Sequence, residues 1–308
     1  MPKKNRRAQR RRTAQLRPRP GPVAAPTRAP ARNRARISAP AVRGSRSWIS
    51  TAAIAAALAA VGVIVLISLN RSPEGGGTGS VGSPAAIAKV QQVPPTVLDQ
   101  IGVPGDLAKP PSLPSGTPPL TMAGKPAVVY IGAEYCPFCA AERWAMVVAL
   151  SRFGTFSNLG TTTSSSTDVH PNTPTLTFYG ASYTSPVLTF SHAETATRTG
   201  AKLETLTPEQ EHLLQTYDVT AVTGSEGGIP FVMIGNRWAF AGATYDPGVL
   251  AGKSFDQIAS ALSDPSSDVA KAIDGAANQI TAMVCAITNR QPKDVCSAPW
   301  VAPAQRAL

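Results

Sequence analysis

Hydrophobic and polar positions divide the chain into stretches with different periods. From Trp48 to Leu69 the run WISTAAIAAALAAVGVIVLISL carries no charge over 22 positions. At ~1.5 Å per residue, a helix of that length covers the ~30 Å apolar core of a bilayer. A second apolar run, AVVYIG at 127–132, is short, continuous and β-branched, which predicts a strand buried on both faces. Directly after it, from Cys136 to Arg152, apolar residues return at Ala140, Trp144, Val147, Val148 and Leu150. That spacing predicts an amphipathic helix, with Pro137 one place inside its start and Gly154 just past its end.

Further on, TTTSSST at 161–167 reads as a polar loop, and TLTFYG (175–180) and PVLTF (186–190) alternate as strands do. Glu209 to Tyr217 predicts a short helix, with Thr207 as N-cap and Pro208 at the first helical position. GGIPFVMIGNRWAFAG predicts two strands, 231–234 and 237–241, joined by a tight Gly-Asn turn. Phe255 to Leu262 is helical. Val269, Ile273, Ala276, Ile280, Val284 and Ile287 mark a longer closing helix. The order β, α, β, β, α, β, β, α, α belongs to the α/β or α+β class.

Between the apolar span and this region lie RSPEGGGTGSVGS, a Gly/Ser linker, a short periodic piece from Ala85 to Val97, and a proline-dense stretch from Pro104 to Pro119. The expected organisation is therefore a basic tail at 1–46, a transmembrane helix at 47–69, a linker at 70–123, a compact domain at 124–300 and a tail at 301–308.

Charge sharpens this division. The chain of 308 residues is formally +11, but fifteen of its 29 Lys and Arg residues stand in the first 46 positions, where no Asp or Glu occurs. The remainder holds fourteen bases against eighteen acids. A basic tail on a mildly acidic domain argues against a nucleic-acid-binding domain. No aromatic residue interleaves the tail's arginines before Trp48, so no specific nucleic acid is expected as a partner. With almost no large apolar residue to bury, the tail is expected to be disordered and to lie against anionic lipids.

The bases also place the N-terminus in the cytoplasm and residues after 71 outside it, as a single-pass protein of the plasma membrane. A cleavable signal peptide needs a shorter apolar stretch and a small-residue cleavage site, which SLNRSPEGG does not offer.

Four cysteines occur as a close pair, Cys136 and Cys139, and a wider pair, Cys285 and Cys296. A dithiol exchanger needs one ionised, exposed thiol and a second that attacks the mixed disulfide made by the first. C-P-F-C at a helix start meets that need. Cys136 at the N-cap would feel unpaired backbone N–H groups and the positive end of the helix dipole, which lower a thiol pKa. Cys139, three residues on, returns to the same face. The competing readings are a structural disulfide and half of a zinc site. The zinc reading lacks a second ligand pair at suitable spacing, since His170, His192 and His212 are scattered, so neither a metal nor another cofactor is expected. Cys285 and Cys296 suit a structural bridge between the closing helix and the C-terminal tail. Glu134 reads as a surface carboxylate rather than a proton carrier for Cys139, and Trp144 and Trp238 read as packing residues.

A buried strand, then A-E-Y-C-P-F-C, then a helix, and about ninety residues later G-G-I-P-F-V together resemble the thioredoxin superfamily. That resemblance implies a thioredoxin-like fold with a long insert. It also implies a cis Pro230 facing the redox cysteines, and backbone groups of Ile229 offered to a bound peptide. Tyr135 and Phe138 would then flank the substrate. GAEYCPFCAAERW, GIPFVMIGNRWAFAGATYDPGVL and P-P-T-V-L-D-Q-I-G at 94–102 also resemble a membrane-anchored thioredoxin-like domain family of unknown function, over roughly 84–300. The chain departs from thioredoxins in three ways. Tyr135 stands where tryptophan is usual, strand 127–132 shows no acid, and the segment from Cys139 to Pro230 is long.

The function expected from these readings is a thiol-disulfide oxidoreductase acting on exported protein thiols or disulfides, with a membrane redox partner. The alternative is a binding or scaffold module whose cysteine pairs are inert.

Overall fold

The computed structural model describes residues 82–308. The basic tail, the apolar span and the first part of the linker lie outside the described residues. No helix among the described residues is long and apolar enough to cross a membrane.

The described chain is a mixed α/β domain. In order it forms α1 (Pro84–Gln91), α2 (Pro95–Ile101), β1 (Thr121–Met122), β2 (Lys125–Gly132), α3 (Pro137–Leu150), β3 (Thr155–Ser157), β4 (Gly160–Thr163), β5 (Pro174–Thr177), β6 (Ser182–Thr184) and β7 (Thr189–Glu194). There follow α4 (Pro208–Tyr217), α5 (Thr220–Thr223), β8 (Phe231–Ile234), β9 (Trp238–Ala241), a 3-10 turn (Pro247–Leu250), α6 (Phe255–Ala261), α7 (Asp268–Ile287), α8 (Lys293–Cys296) and α9 (Val301–Ala307).

The main sheet is built around β2. It pairs in parallel with β7, from Ala127 opposite Thr189 to Gly132 opposite Glu194. On its other side it pairs antiparallel with β8, which in turn pairs antiparallel with β9. The short β1 folds back on the start of β2. Because side chains alternate along a strand, Val128 and Tyr130 enter the larger core with Trp144, Ile273 and Ile280. Ala127, Val129 and Ile131 enter a smaller core with Leu213, Phe231 and Met233. This two-sided burial is what the continuous apolar run requires. Burying each large side chain contributes roughly 1.5–3 kcal/mol.

Several elements fall where the residue pattern puts them. The α4 helix begins at a full capping box, with Thr207 Oγ1 accepting from Gln210 N–H and Gln210 Oε1 accepting from Thr207 N–H. Gly235 and Asn236 take positive φ angles of 62° and 55° between β8 and β9, which suits the Gly-Asn turn.

Other elements depart from the pattern. The segment read as a loop at 161–167 begins with β4, paired antiparallel with β5, because the β-branched threonines there suit a strand despite their hydroxyls. The strand read at 186–190 starts only at Thr189 and runs on to Glu194, and β3 and β6 form a small ribbon beside it. The periodic piece at 85–97 is two helices, α1 and α2, interrupted at Pro94 and Pro95. Both belong to the domain: Val90 and Leu98 join the large core, and Asn278 on α7 donates to the carbonyls of Leu98 and Gly102 at 2.8 and 2.7 Å. The segment read as a tail contains α9, which buries Val301 and Ala304.

The amphipathic helix of the sequence is buried nearly all round. Within α3 only Phe138 is exposed, at 39%. The long insert covers the face that would otherwise meet solvent. Trp144 Nε1 donates to Pro174 O at 3.0 Å, and Thr175 Oγ1 donates to Ala140 O at 2.7 Å. The α7 helix and the 244–245 segment cover the rest, with Tyr245 Oη donating to Ala141 O at 2.7 Å. Trp144 and Trp238 are thus packing residues, 0% and 5% exposed.

Candidate functional site

The junction of β2 and α3 brings Cys136 to the N-cap of a fourteen-residue helix, followed at once by Pro137. Cys136 has extended backbone angles, and its Sγ accepts from the Cys139 N–H at 3.2 Å. A sulfur in this position takes the place of a capping oxygen. Both cysteines are free thiols. The Cys136 thiol is shifted below its ordinary pKa, first by the hydrogen bond from the Cys139 thiol, then by backbone N–H groups and Arg143, with burial opposing. The Cys139 thiol is pushed well up, first by burial and then by its bond to Cys136 and the charge there. The pair is therefore asymmetric: Cys136 is the more acidic thiol, and Cys139 the one that holds its proton more tightly.

The Ile229 carbonyl faces Cys136, and Pro230 follows it. Their peptide bond is cis, and the Cys136 thiol lies 3.5 Å from the Ile229 carbonyl oxygen as a donor. Pro230 is buried and Ile229 half-buried, immediately before β8. The described residues contain a second cis bond, Gln291–Pro292, which the sequence reading did not mark.

Tyr135 is half-buried, and its carbonyl accepts from Ser165 N–H at 2.8 Å. Its phenol is shifted upward by burial and by the cysteines and Asp168. The loop between β4 and β5 therefore lies against the cysteine motif. Phe138 stands edge-on to His170 of that loop, with ring centres 6.1 Å apart. Cys136 itself is only 5% exposed, less than an open nucleophile was expected to be. The Ile229 carbonyl in front of its sulfur is one reason.

Beneath the thiols lies a group that sequence reasoning missed. Glu194 pairs in register with Gly132, so its side chain rises on the α3 side of the sheet beside that glycine. There it meets Arg143, four residues after Cys139 on α3. Arg143 Nε lies 2.8 Å from Glu194 Oε1, and Nη2 lies 2.7 Å from Oε2, with both side chains fully buried. Arg143 Nη2 also donates to Ala133 O at 2.8 Å. Burial works against the charge on Arg143, but Glu194, Tyr130 and Cys139 together more than offset it. An acid does stand near Cys139, then, although it comes from β7 and not from β2. The available signal was slight: an Arg in the mostly apolar helix and a Glu 51 positions on, at the end of the mixed run T-F-S-H-A-E.

Tyr130 completes this layer. Its ring lies under Arg143, 5.9 Å from the guanidinium carbon, and edge-on to Phe178 at 4.9 Å. A Cβ built at Gly132 would overlap the Tyr130 hydroxyl and lie 3.0 Å from Cys139 Sγ. Only glycine lets those two groups approach there.

The second cysteine pair is separate. Cys285 at the end of α7 and Cys296 in α8 form a disulfide with Cα atoms 5.5 Å apart. It closes an eleven-residue separation and fastens the closing helix to the C-terminal segment. Glu134 is half-buried.

The sequence profile of a domain of unknown function, DUF929, matches residues 116–286. The match covers more than half of the chain, including both free thiols, the Arg143–Glu194 pair and Pro230. The protein belongs to that family. No curated protein and no solved structure matches it.

Proposed function

We propose that this protein is a membrane-anchored thiol-disulfide oxidoreductase of thioredoxin-like fold, acting outside the cytoplasm on exported protein thiols or disulfides. The observation that carries this reading is the N-cap position of Cys136, with Cys139 hydrogen-bonded behind it and the Ile229 carbonyl in front. The fold reading is supported by the strand order β7-β2-β8-β9, a cysteine pair at the β2–α3 junction and a cis proline leading into β8. The anchor and its orientation rest on the uncharged run 48–69 and the fifteen bases before it.

In this reading the Cys136 thiolate attacks one sulfur of a substrate disulfide. A new Cys136–substrate bond forms, and the second substrate sulfur leaves with the electron pair and takes a proton. Cys139 then attacks Cys136, closes the Cys136–Cys139 disulfide and releases the first substrate sulfur as a thiol. Two electrons pass from the pair to the substrate, with one proton from Cys139 and one from water, which received the Cys136 proton when that thiol ionised. Run backwards, the same steps oxidise a substrate dithiol and leave the pair reduced, to be reoxidised by a disulfide-bearing membrane partner. Tyr135, Phe138 and the Ile229 backbone border the place where substrate sulfur must arrive.

A second reading is favoured by one observation, the 5% exposure of Cys136. A thioredoxin-like scaffold that binds a partner without exchanging electrons would keep its thiols covered. Iodoacetamide labelling of the folded full-length chain at pH 6, resolved by peptide, separates the two. Labelling of Cys136 faster than a free thiol of ordinary acidity supports exchange. No labelling before unfolding supports the scaffold.

A further inference from the structure

We propose that the Tyr130 hydroxyl and the Arg143 guanidinium form a donor pocket for a Cys139 thiolate, and that this pocket times the second half of the exchange reaction. The inference rests on the oxidoreductase reading for its purpose, but the pocket itself is tested without turnover.

Two buried donors at the base of the site have no protein partner: Tyr130 Oη and Arg143 Nη1. Buried donors are almost always paired, so two orphans in one place call for an explanation. Tyr130 adjoins the Cys139 thiol, and Arg143 acts on that thiol through its charge. Tyr130 Oη and Cys139 Sγ flank Gly132. Arg143 stands one turn along α3 from Cys139, and Glu194 grips only the Nε–Nη2 edge of its guanidinium. Nη1, off that edge, is the nitrogen left to serve another acceptor. Glu194 fixes the guanidinium and keeps it charged.

A neutral thiol is a poor acceptor, and a thiolate is a strong one. Of the two thiols Cys136 is the one that ionises first, and its charge together with burial then opposes ionisation of Cys139. The groups that face Cys139 are Cys136 and Arg143 on α3, Tyr135 before it, Tyr130 on β2 and Glu194 on β7. When Cys136 becomes bonded to a substrate sulfur, its negative charge is gone. Burial still opposes ionisation, but Arg143 and Tyr130 now act on Cys139 without an opposing thiolate beside it. The Cys139 S–H bond then breaks, its sulfur bonds to Cys136, and the Cys136–substrate bond breaks. The substrate sulfur takes that electron pair and the proton Cys139 has lost. The second thiol is thereby armed only once the first is engaged. Tyr130 and Arg143 are positioning residues in this scheme, since they act through Cys139.

The test uses the full-length chain carrying Cys136→Ala, which leaves Cys139 without a charged neighbour at the N-cap. Thiolate absorbance near 240 nm is followed against pH, and the same chain with Cys139→Ala is subtracted, so that only Cys139 is read. Adding Tyr130→Phe, which removes the hydroxyl and keeps the ring, is expected to raise the Cys139 midpoint by about one pH unit, a tenfold loss of thiolate at fixed pH. Arg143→Lys, which keeps a cation for Glu194 but removes the second N–H group, is expected to shift it in the same direction. In either variant that retains its native circular dichroism, an unmoved midpoint overturns the pocket. The companion readout is closure of a Cys136–glutathione mixed disulfide in the otherwise native chain. Tyr130→Phe should slow it about tenfold at pH 7, with the difference vanishing at high pH. A chain that never exchanges with glutathione disulfide but shows the midpoint shifts refutes the oxidoreductase reading and leaves the pocket standing. Normal exchange with unmoved midpoints does the reverse.

Discussion

The Ile229 carbonyl oxygen lies 3.5 Å from the Cys136 sulfur, across 93 residues of sequence, and so joins the start of α3 to the turn before β8. It accepts from the thiol, and under the oxidoreductase proposal it lies on the approach of a peptide backbone. In the proposed oxidoreductase, substrate recognition and thiol protection would meet at this one group. Ile229→Gly keeps that carbonyl and removes only side-chain cover, so it should speed Cys136 alkylation at pH 6. An unchanged rate would show that the Ile229 side chain does not control access.

Phe138 is the exposed member of the cysteine motif, and it touches His170 of the β4–β5 loop only edge-on. Phe138→Ala should leave the thermal midpoint nearly unchanged, as surface substitutions usually do within about 0.5 kcal/mol. Exchange with a peptide disulfide should nevertheless slow. A variant that loses stability but exchanges at the native rate would place Phe138 among packing residues.

The Arg143–Glu194 pair is a different kind of feature. Glu194→Ala leaves a guanidinium buried without its counter-charge, at a cost of about 3–5 kcal/mol. Urea unfolding of the full-length chain should show a loss of that order. A loss below about 1 kcal/mol would mean that the pair is dispensable to the fold.

These cases show what the residue pattern made legible. A strand buried on both faces, a Pro-started helix beginning in C-P-F-C, the Thr207 cap and the Gly235–Asn236 turn are each written in a few neighbouring residues. Glu194 is not. In S-H-A-E it looks like a surface acid, and its burial follows only from pairing with Gly132 and meeting Arg143. The β4 strand was hidden by its polar threonines. The coverage of α3 depends on an insert whose partners lie 30 or more positions away, as Ala140 and Thr175 do.

Two further buried carboxyls make stability depend on pH. Burial pushes Glu142 up to about 7, against the pull of its bonds from Thr244, and pushes Asp274 up to about 8. In the unfolded chain such groups titrate near about 4. The folded chain therefore binds more protons over that interval. This contribution to stability is complete below about pH 4 and is lost as pH rises through 7 and 8. Glu142→Gln keeps an acceptor for Thr244 N–H and Oγ1–H, and Asp274→Asn removes a charge whose oxygens have no protein donor. Each should raise stability at pH 8 by at least about 1 kcal/mol and flatten the decline between pH 5 and 8. An undiminished slope in both variants would contradict the assignment.

The Cys285–Cys296 bridge should behave as structure alone. Replacing both cysteines with alanine should cost roughly 3 kcal/mol on a chain-entropy reckoning, seen as a lower melting temperature. The alkylation rate of Cys136 should not change below that temperature.

The central claim, that Cys136 and Cys139 exchange while the other pair does not, is tested most directly by a glutathione redox titration of the full-length chain. Alkylation and mass spectrometry follow the two pairs separately. The account predicts that the Cys136–Cys139 pair equilibrates readily at a potential above about −230 mV, while Cys285–Cys296 stays oxidised throughout. If both pairs resist reduction to below about −300 mV, or if Cys136 and Cys139 never form a disulfide, the oxidoreductase reading is wrong and the scaffold stands.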